Sequence, residues 1–270
     1  MNIGIIGYGK MGKLIEKEAL ERGHRVVAIV DPFAHPEIAG PSVAPVCRAI
    51  DEAASLGEAD AAIEFTRPDT APENMLALIE RRIPAVVGTT GWLDKLEEIR
   101  RVADDAGTSL LWASNFSLGV NLFYRIAAFA ARLSDPFPEY DVGGWEAHHN
   151  KKTDSPSGTA KTLVEGVLAQ MSRKTTPVWE TLDRPPRAEE LHYPSLRVGS
   201  VPGVHTLFLD SPADTIEITH RARNREGFAA GAIRAAEWLT RRTGSGEKRQ
   251  GVFTMDDVLA EILQKAMPVG

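Results

Sequence analysis

Apolar residues run first in short unbroken stretches and later in alternation, and the change falls near the middle of the chain. Residues 2–6, 25–30, 59–65, 85–87 and 109–113 are rich in Ile, Val, Ala and Leu, as expected of strands buried on both faces of a parallel sheet. Between them, 11–22, 72–82 and 93–106 carry apolar residues at helical spacing among charged ones, with Gly23 and Gly107 placed where helices stop. This alternation predicts a doubly wound α/β sheet with helices on both faces.

After Ser114 the pattern changes and a second domain begins. A helix is expected over 118–134, a strand over 139–147 and a helix over 157–171, followed by a polar, Pro-containing stretch from 172 to 194 that reads mainly as loop. Residues 196–200, 204–209 and 215–220 alternate apolar and polar positions and are separated by Pro202-Gly203 and Pro212. They predict an antiparallel sheet with one covered face, the other being free to pack on another subunit. A helix over 227–242, a loop over 244–251 and a last helix over 254–266 complete the chain.

Composition narrows the function classes. With 270 residues and 43% hydrophobic content, a sizeable core forms easily. A net charge of −6 argues against nucleic-acid partners, and no polybasic segment suggests a membrane surface. Cys47, the single cysteine, has no intrachain disulfide partner, and no Cys/His array has zinc spacing, so no metal is expected. Met1 leads directly into a strand with no signal-peptide pattern, and no apolar run reaches membrane-spanning length. A cytoplasmic enzyme is the expectation.

Gly7-Tyr8-Gly9-Lys10-Met11-Gly12 follows the first strand and opens the first helix. In this Gly-x-Gly-x-x-Gly pattern the first glycine permits the turn, the second lets backbone approach a pyrophosphate and the third lets helix pack on strand. The second strand ends in Asp31, within the roughly twenty-residue interval at which an acid reaches the adenosine ribose hydroxyls. A carboxylate there repels a 2'-phosphate, and Pro32 and Phe33 follow where an arginine would accept one. A preference for NADH over NADPH is therefore expected, with Lys10 the residue best placed to soften it. Gly88-Thr89-Thr90-Gly91 and Ala113-Ser114-Asn115-Phe116-Ser117 lie at further C-terminal strand ends, where such sheets place ligands.

The densest chemistry lies in Glu146-Ala147-His148-His149-Asn150-Lys151-Lys152-Thr153-Asp154-Ser155-Pro156-Ser157-Gly158-Thr159. Adjacent histidines on a strand point to opposite faces, so one faces substrate while the other supports it. They are also poor joint chelators. Lysines 151 and 152 offer cations for carboxylates or a proton. Asp154 or Ser157 caps the following helix, whose first N–H groups at Gly158 and Thr159 form an anion cradle. The segment reads as the site of an anionic substrate.

On these residues the chain resembles the 4-hydroxy-tetrahydrodipicolinate (dihydrodipicolinate) reductase family of the diaminopimelate route to lysine. The resemblance rests on Glu146 to Thr159 and on Gly7 to Gly12, with Phe65-Thr66-Arg67-Pro68, Gly88 to Gly91, Asn115 to Asn121 and His220 to Ala232 in support. It implies a Rossmann-type dinucleotide-binding domain over 1–117 completed by the helices of 226–270. The second, α+β domain, 118–225, would bind substrate and oligomerise through an open mixed or antiparallel sheet, usually as a homotetramer. It further implies a small dicarboxylate substrate, His148 as catalytic acid/base, Lys152 as second proton donor, and His149, Gly158 and Thr159 as substrate-binding residues. The cofactor set is Gly7, Tyr8, Gly9, Lys10, Met11, Gly12, Asp31, Gly88, Thr89, Thr90, Ala113, Ser114, Asn115 and Phe116, holding NADH or NADPH. Ser155 stands where the family usually has Ala, and the loop 246–250 looks longer than is common, a matter of local surface structure. Another dehydrogenase of amino or hydroxy acids, and an NADH sensor without turnover, are the rival readings.

Overall fold

The computed structural model describes residues 1–33 and 41–266. The chain divides into two compact units, Met1–Ser117 with Arg225–Gly270, and Leu118–Asn224. The first begins with β1 (Asn2–Ile6), α1 (Lys10–Glu21), β2 (Arg25–Val30), β3 (Val46–Cys47), β4 (Ala61–Glu64), α2 (Ala71–Glu80), β5 (Ala85–Val87), α3 (Leu96–Ala106) and β6 (Ser109–Trp112). The second contains α4 (Leu118–Ser134), β7 (Asp141–His148), α5 (Gly158–Leu168), β8 (Thr176–Val178), β9 (Glu190–His192), β10 (Ser195–Arg197), β11 (Val204–Asp210) and β12 (Thr215–Arg221). The chain then returns to the first unit with α6 (Glu226–Thr240), β13 (Gly251–Thr254) and α7 (Met255–Ala266).

The first unit is one seven-stranded sheet in the order β13-β6-β5-β4-β1-β2-β3, with every pairing parallel. Successive side chains leave opposite faces of a strand, and the cores follow that rule. Ile3, Ile5, Ile63, Val86 and Leu111 pack with residues of α1, α6 and α7 on one face. Ile6, Ala28, Val30, Ala62, Val87 and Leu110 pack with α2 and α3 on the other. Each Leu, Ile or Val so buried contributes about 1.5–3 kcal/mol relative to exposure. Gly107 ends α3 in the left-handed conformation, φ +63°, which a residue with a side chain adopts only at a cost.

The doubly wound sheet is thus as the apolar runs predicted, with two strands added. Residues 251–254, expected to lie between a loop and the start of a helix, form β13 and extend the sheet beyond β6. β3 is only two residues long. Both depend on the free edge of a neighbour, which a short sequence window does not contain.

In the second unit, β10, β7, β11 and β12 form a four-stranded sheet. β11 pairs antiparallel with β7 and β12, and β10 runs parallel to β7, so the sheet is mixed, one of the two forms expected of the second domain, although the alternation over 196–220 alone pointed to an antiparallel one. One face packs Val142, Leu207 and Leu209 against Phe123 and Ala127 of α4 and Leu163, Val164 and Val167 of α5. The expected loop over 172–194 holds β8 and β9, a two-stranded parallel pair. Three-residue strands, one containing Pro177, show no periodicity to read.

Candidate active site

At the C-terminal end of β1 the backbone itself forms the surface of the candidate site. Gly7 turns with φ +90° and donates its N–H to the Val30 carbonyl at 2.8 Å. A Cβ on Gly7 would lie 2.2 Å from the Phe65 carbonyl oxygen, and one on Gly12 would lie 2.2 Å from that of Gly7. Both positions exclude side chains by close packing. Gly9 differs: no atom lies within 4 Å of a Cβ built there, and it caps α1 without a side-chain bond to the helix amides.

Gly9 borders two recesses. One, about 490 Å³, is also lined by Gly7, Asp31, Phe33, Arg48 and Arg67. The other, about 440 Å³, brings Lys10 and Met11 together with Gly88, Thr89 and Thr90. Asp31 accepts hydrogen bonds from Tyr8 N–H at 2.6 Å and Phe33 N–H at 2.8 Å, so its carboxylate shapes the glycine turn as well as the recess wall. Not every proposed cofactor residue comes to these openings. Tyr8 is buried and donates its hydroxyl to Glu16 at 2.5 Å. Phe116 is buried against Phe65, ring centroids 5.9 Å apart. Asn115 accepts the Ser117 N–H at 2.9 Å, and Ala113 to Phe116 line neither recess.

A larger groove of about 1130 Å³ lies between the end of α6, the loop 243–250 and α7. The Arg249 guanidinium there sits 4.0 Å from the Trp238 ring centroid and pairs with Glu261 at 2.5 Å. The loop expected to affect only the surface is therefore anchored by a buried cation.

In the second unit, alternation along β7 places Glu146 and His148 on one face of the strand. Glu146 is fully buried and His148 is 9% exposed. Oε1 of Glu146 accepts from Ser157 N–H at 3.0 Å, Ser195 Oγ at 2.7 Å and Arg197 Nη2 at 3.1 Å. Oε2 accepts from Ser157 Oγ and lies 3.3 Å from His148 Nδ1, in a less well aligned approach. Burial alone would raise the Glu146 pKa, but the donors from His148, Ser157 and Ser195 hold it far below the usual carboxylate range. His205 packs edge-on to His148, centroids 5.3 Å apart. Its pKa is pushed down to about 3, first by burial, which outweighs the opposing pull of Glu146, and further by the nearby His148, His220 and Lys152.

Beyond the strand, Lys152 Nζ pairs with Asp154 at 2.8 Å. Burial opposes that ionisation, yet the lysine holds the Asp154 pKa below its ordinary value. Of the two expected caps, Ser157 is the one used, accepting from Ala160 N–H at 3.1 Å. Gly158 opens α5 with no atom within 4 Å of a built Cβ, and Thr159 follows in the same first turn. His149 lies just past the strand, half-buried, with Nδ1 lacking a hydrogen-bond partner among the described residues.

Glu146, His148 and His205 bring three metal-capable side chains within 4.8 Å of one another, a group no sequence spacing announced. The Glu146 carboxylate is already committed to hydrogen bonds from two serines and Arg197. Arg48, Arg197 and His205, and Gly203 whose Cβ position lies 3.1 Å from His148 Nε2, join the candidate site without having been legible in the sequence. Only Glu146 left a signal, two positions before His148 on a strand.

A parallel nucleotide-binding-type sheet opened by a glycine turn, together with a second unit rich in proton donors and helix-end amides, defines a Rossmann-type oxidoreductase. Models of the dihydrodipicolinate reductase N-terminus and C-terminus match residues 1–116 and 119–259, and the chain belongs to that family. The 4-hydroxy-tetrahydrodipicolinate reductase of Christiangramia forsetii is 38% identical over 264 residues, covering 98% of this chain and 100% of that one. That of Archaeoglobus fulgidus is 36% identical, covering 96% and 100%. The fold is similar to that of the dipicolinate-bound dihydrodipicolinate reductase from Paenisporosarcina sp. TG-14, with a TM-score of 0.73 at 20% identity over 94% of this chain and 97% of that one. The resemblance read from the motifs is the family found.

Proposed function

We propose that the chain reduces 4-hydroxy-tetrahydrodipicolinate to tetrahydrodipicolinate with NAD(P)H, and that His148 and Lys152 supply its proton chemistry. The observation that carries this reading is the convergence, in a member of this family, of a buried Glu146–His148 pair, the Lys152 cation and the open first turn of α5. A conjugated imine ring flanked by two carboxylates needs a hydride at one carbon and a proton at its neighbour. The reduced nicotinamide supplies the hydride when bound. His148 and Lys152 exchange protons, and His149 with the Gly158 and Thr159 amides holds carboxylate oxygens. The dipicolinate in the Paenisporosarcina enzyme is a ligand of the class this set would take.

Residues 1–117 and the returning helices would bind the dinucleotide. Tight packing at Gly7 and Gly12 beside an open Gly9 would let a pyrophosphate approach the backbone at the start of α1. Lys10, Met11, Gly88, Thr89 and Thr90 border the second recess, suiting the remainder of the cofactor. Asp31 favours NADH, while Arg48 on the same recess tempers that preference. Among the described residues no helix is long and apolar enough to cross a membrane, and we place the enzyme in the cytoplasm. A homotetramer is the proposed assembly, supported by the exposed apolar stripe Leu122, Ile126, Phe129 and Leu133 along α4.

The test follows NADH absorbance with purified protein while pyruvate, aspartate semialdehyde and the preceding synthase generate the labile substrate in place. Oxidation that requires the complete mixture is expected. No oxidation of NADH or NADPH by demonstrably folded protein would overturn the reading. Comparable catalytic efficiencies with the two cofactors would remove the NADH preference, and a monomeric mass by light scattering would remove the tetramer.

A further inference from the structure

We propose that Glu146 is a positioning residue that keeps the proton of neutral His148 on Nδ1 and so leaves Nε2 as the atom available to exchange protons. The proposal rests on the reading of His148 as the acid/base. Its basis is the division of labour between the two oxygens of one buried carboxylate. Oε1 faces three donors, the Ser157 backbone N–H, Ser195 Oγ and Arg197 Nη2. Oε2 faces Ser157 Oγ and His148 Nδ1.

An ionised carboxylate only accepts, so the imidazole nitrogen beside Oε2 is favoured as the one that carries hydrogen. Glu146 stays ionised through the neutral range because its donors hold its pKa far below normal. The other edge of the ring is kept clear. A Cβ at residue 203 would stand 3.1 Å from Nε2, and Gly203 has none. The groups beside His148 are Glu146 on its own strand, Arg197 opposite it on β10 and His205 on β11; Lys152, beyond the strand end, pairs with Asp154. His205 is 3% exposed with its Nε2 4.0 Å from Oε2, too distant to replace His148 at that oxygen.

The asymmetry makes a directional test. In Glu146→Gln the amide oxygen must occupy the Oε1 position, because the Ser157 N–H and the Arg197 guanidinium can only donate. The amide NH2 then points at Nδ1 of His148, and a donor there drives the ring to the opposite tautomer, with hydrogen on Nε2. The measurement is the long-range 15N–1H imidazole spectrum of the full-length protein at a pH where His148 is neutral, its signals assigned by their loss in His148→Gln. Nδ1–H is expected in the native protein and Nε2–H in Glu146→Gln, with kcat down at least about tenfold and NADH affinity unchanged.

Nε2–H in the native protein, or the same tautomer in both, would overturn the proposal. The native spectrum alone decides this should Glu146→Gln fail to fold. A reversed tautomer with undiminished kcat would support the positioning of the ring and overturn the acid/base role assigned to His148, so the two failures are distinguishable.

Discussion

Between Gly7 and Gly12 the first unit presents bare backbone, while between Glu146 and Gly158 the second presents ionisable side chains around a buried carboxylate. The first region works by exclusion: two of its three glycines sit where a single methyl group would strike a carbonyl oxygen. The second works by saturation, since the Glu146 oxygens accept from two serines and an arginine with the His148 ring 3.3 Å away. Bare amides suit an invariant pyrophosphate. Moving a proton needs groups whose charge state is set by their neighbours, which only side chains provide.

The largest expected effect separates the two regions by function. His148→Gln or Lys152→Ala should lower kcat by about 10²–10⁴-fold, the usual worth of a general acid or base, while the NADH dissociation constant stays put. Matching losses in turnover and cofactor affinity would mean a folding defect and erase the contrast.

Charge state is next. His205 is held neutral in the fold, its pKa pushed to about 3, whereas the unfolded chain takes up that proton near pH 6.5. The unfolded state thus binds more protons as pH falls from 6.5, and stability must fall with it, by on the order of a few kcal/mol across the window. Denaturant titrations at pH 7, 5.5 and 4.5 should show a shallower decline in His205→Gln. Glu146, whose pKa is depressed, adds its own loss only below about pH 4.3, the unfolded carboxylate value. Parallel declines in both proteins would refute the neutral His205.

A third comparison lies within the glycine turn. Gly12→Ala places a methyl group into the Gly7 carbonyl and should cost about 1–3 kcal/mol, read as a Tm lower by several degrees together with weakened NADH binding. Gly9→Ala meets no atom within 4 Å and should leave Tm unchanged. Equal Tm values for the two would show that the loop adapts more than the packing implies. The smallest effect concerns Arg48, which is exposed on the Asp31 recess. Arg48→Ala should weaken NADPH by about two- to fivefold, as a solvated ion pair would, and leave NADH alone by calorimetry. Equal weakening of both would assign Arg48 to the shared part of the cofactor.

Much of this was readable in advance where the signal is local. β1 and β2 occupy the apolar runs 2–6 and 25–30 expected of them, and α4 spans the expected 118–134, because buried strands and amphipathic helices write their periods into neighbouring residues. The glycine turn and the His-His-x-x-Lys segment were visible for the same reason. Partners supplied from a distance were not. Arg197 reaches Glu146 across 51 positions, Gly203 stands beside His148 only because β11 folds back along β7, and Arg48 arrives at the Asp31 recess through a two-residue strand.

By itself, then, the chain's order of residues settled the family, the parallel sheet, the glycine turn and the segment proposed to carry the proton donors, since each is written in residues within a turn or a strand of one another. The tertiary structure decided which donors meet which oxygen of Glu146, that His205 packs edge-on against His148, that Ser157 and not Asp154 caps α5, and that residues 251–254 extend the sheet beyond β6. Those outcomes depend on distances across strands and on exclusion from water, and neither quantity exists until the chain has folded.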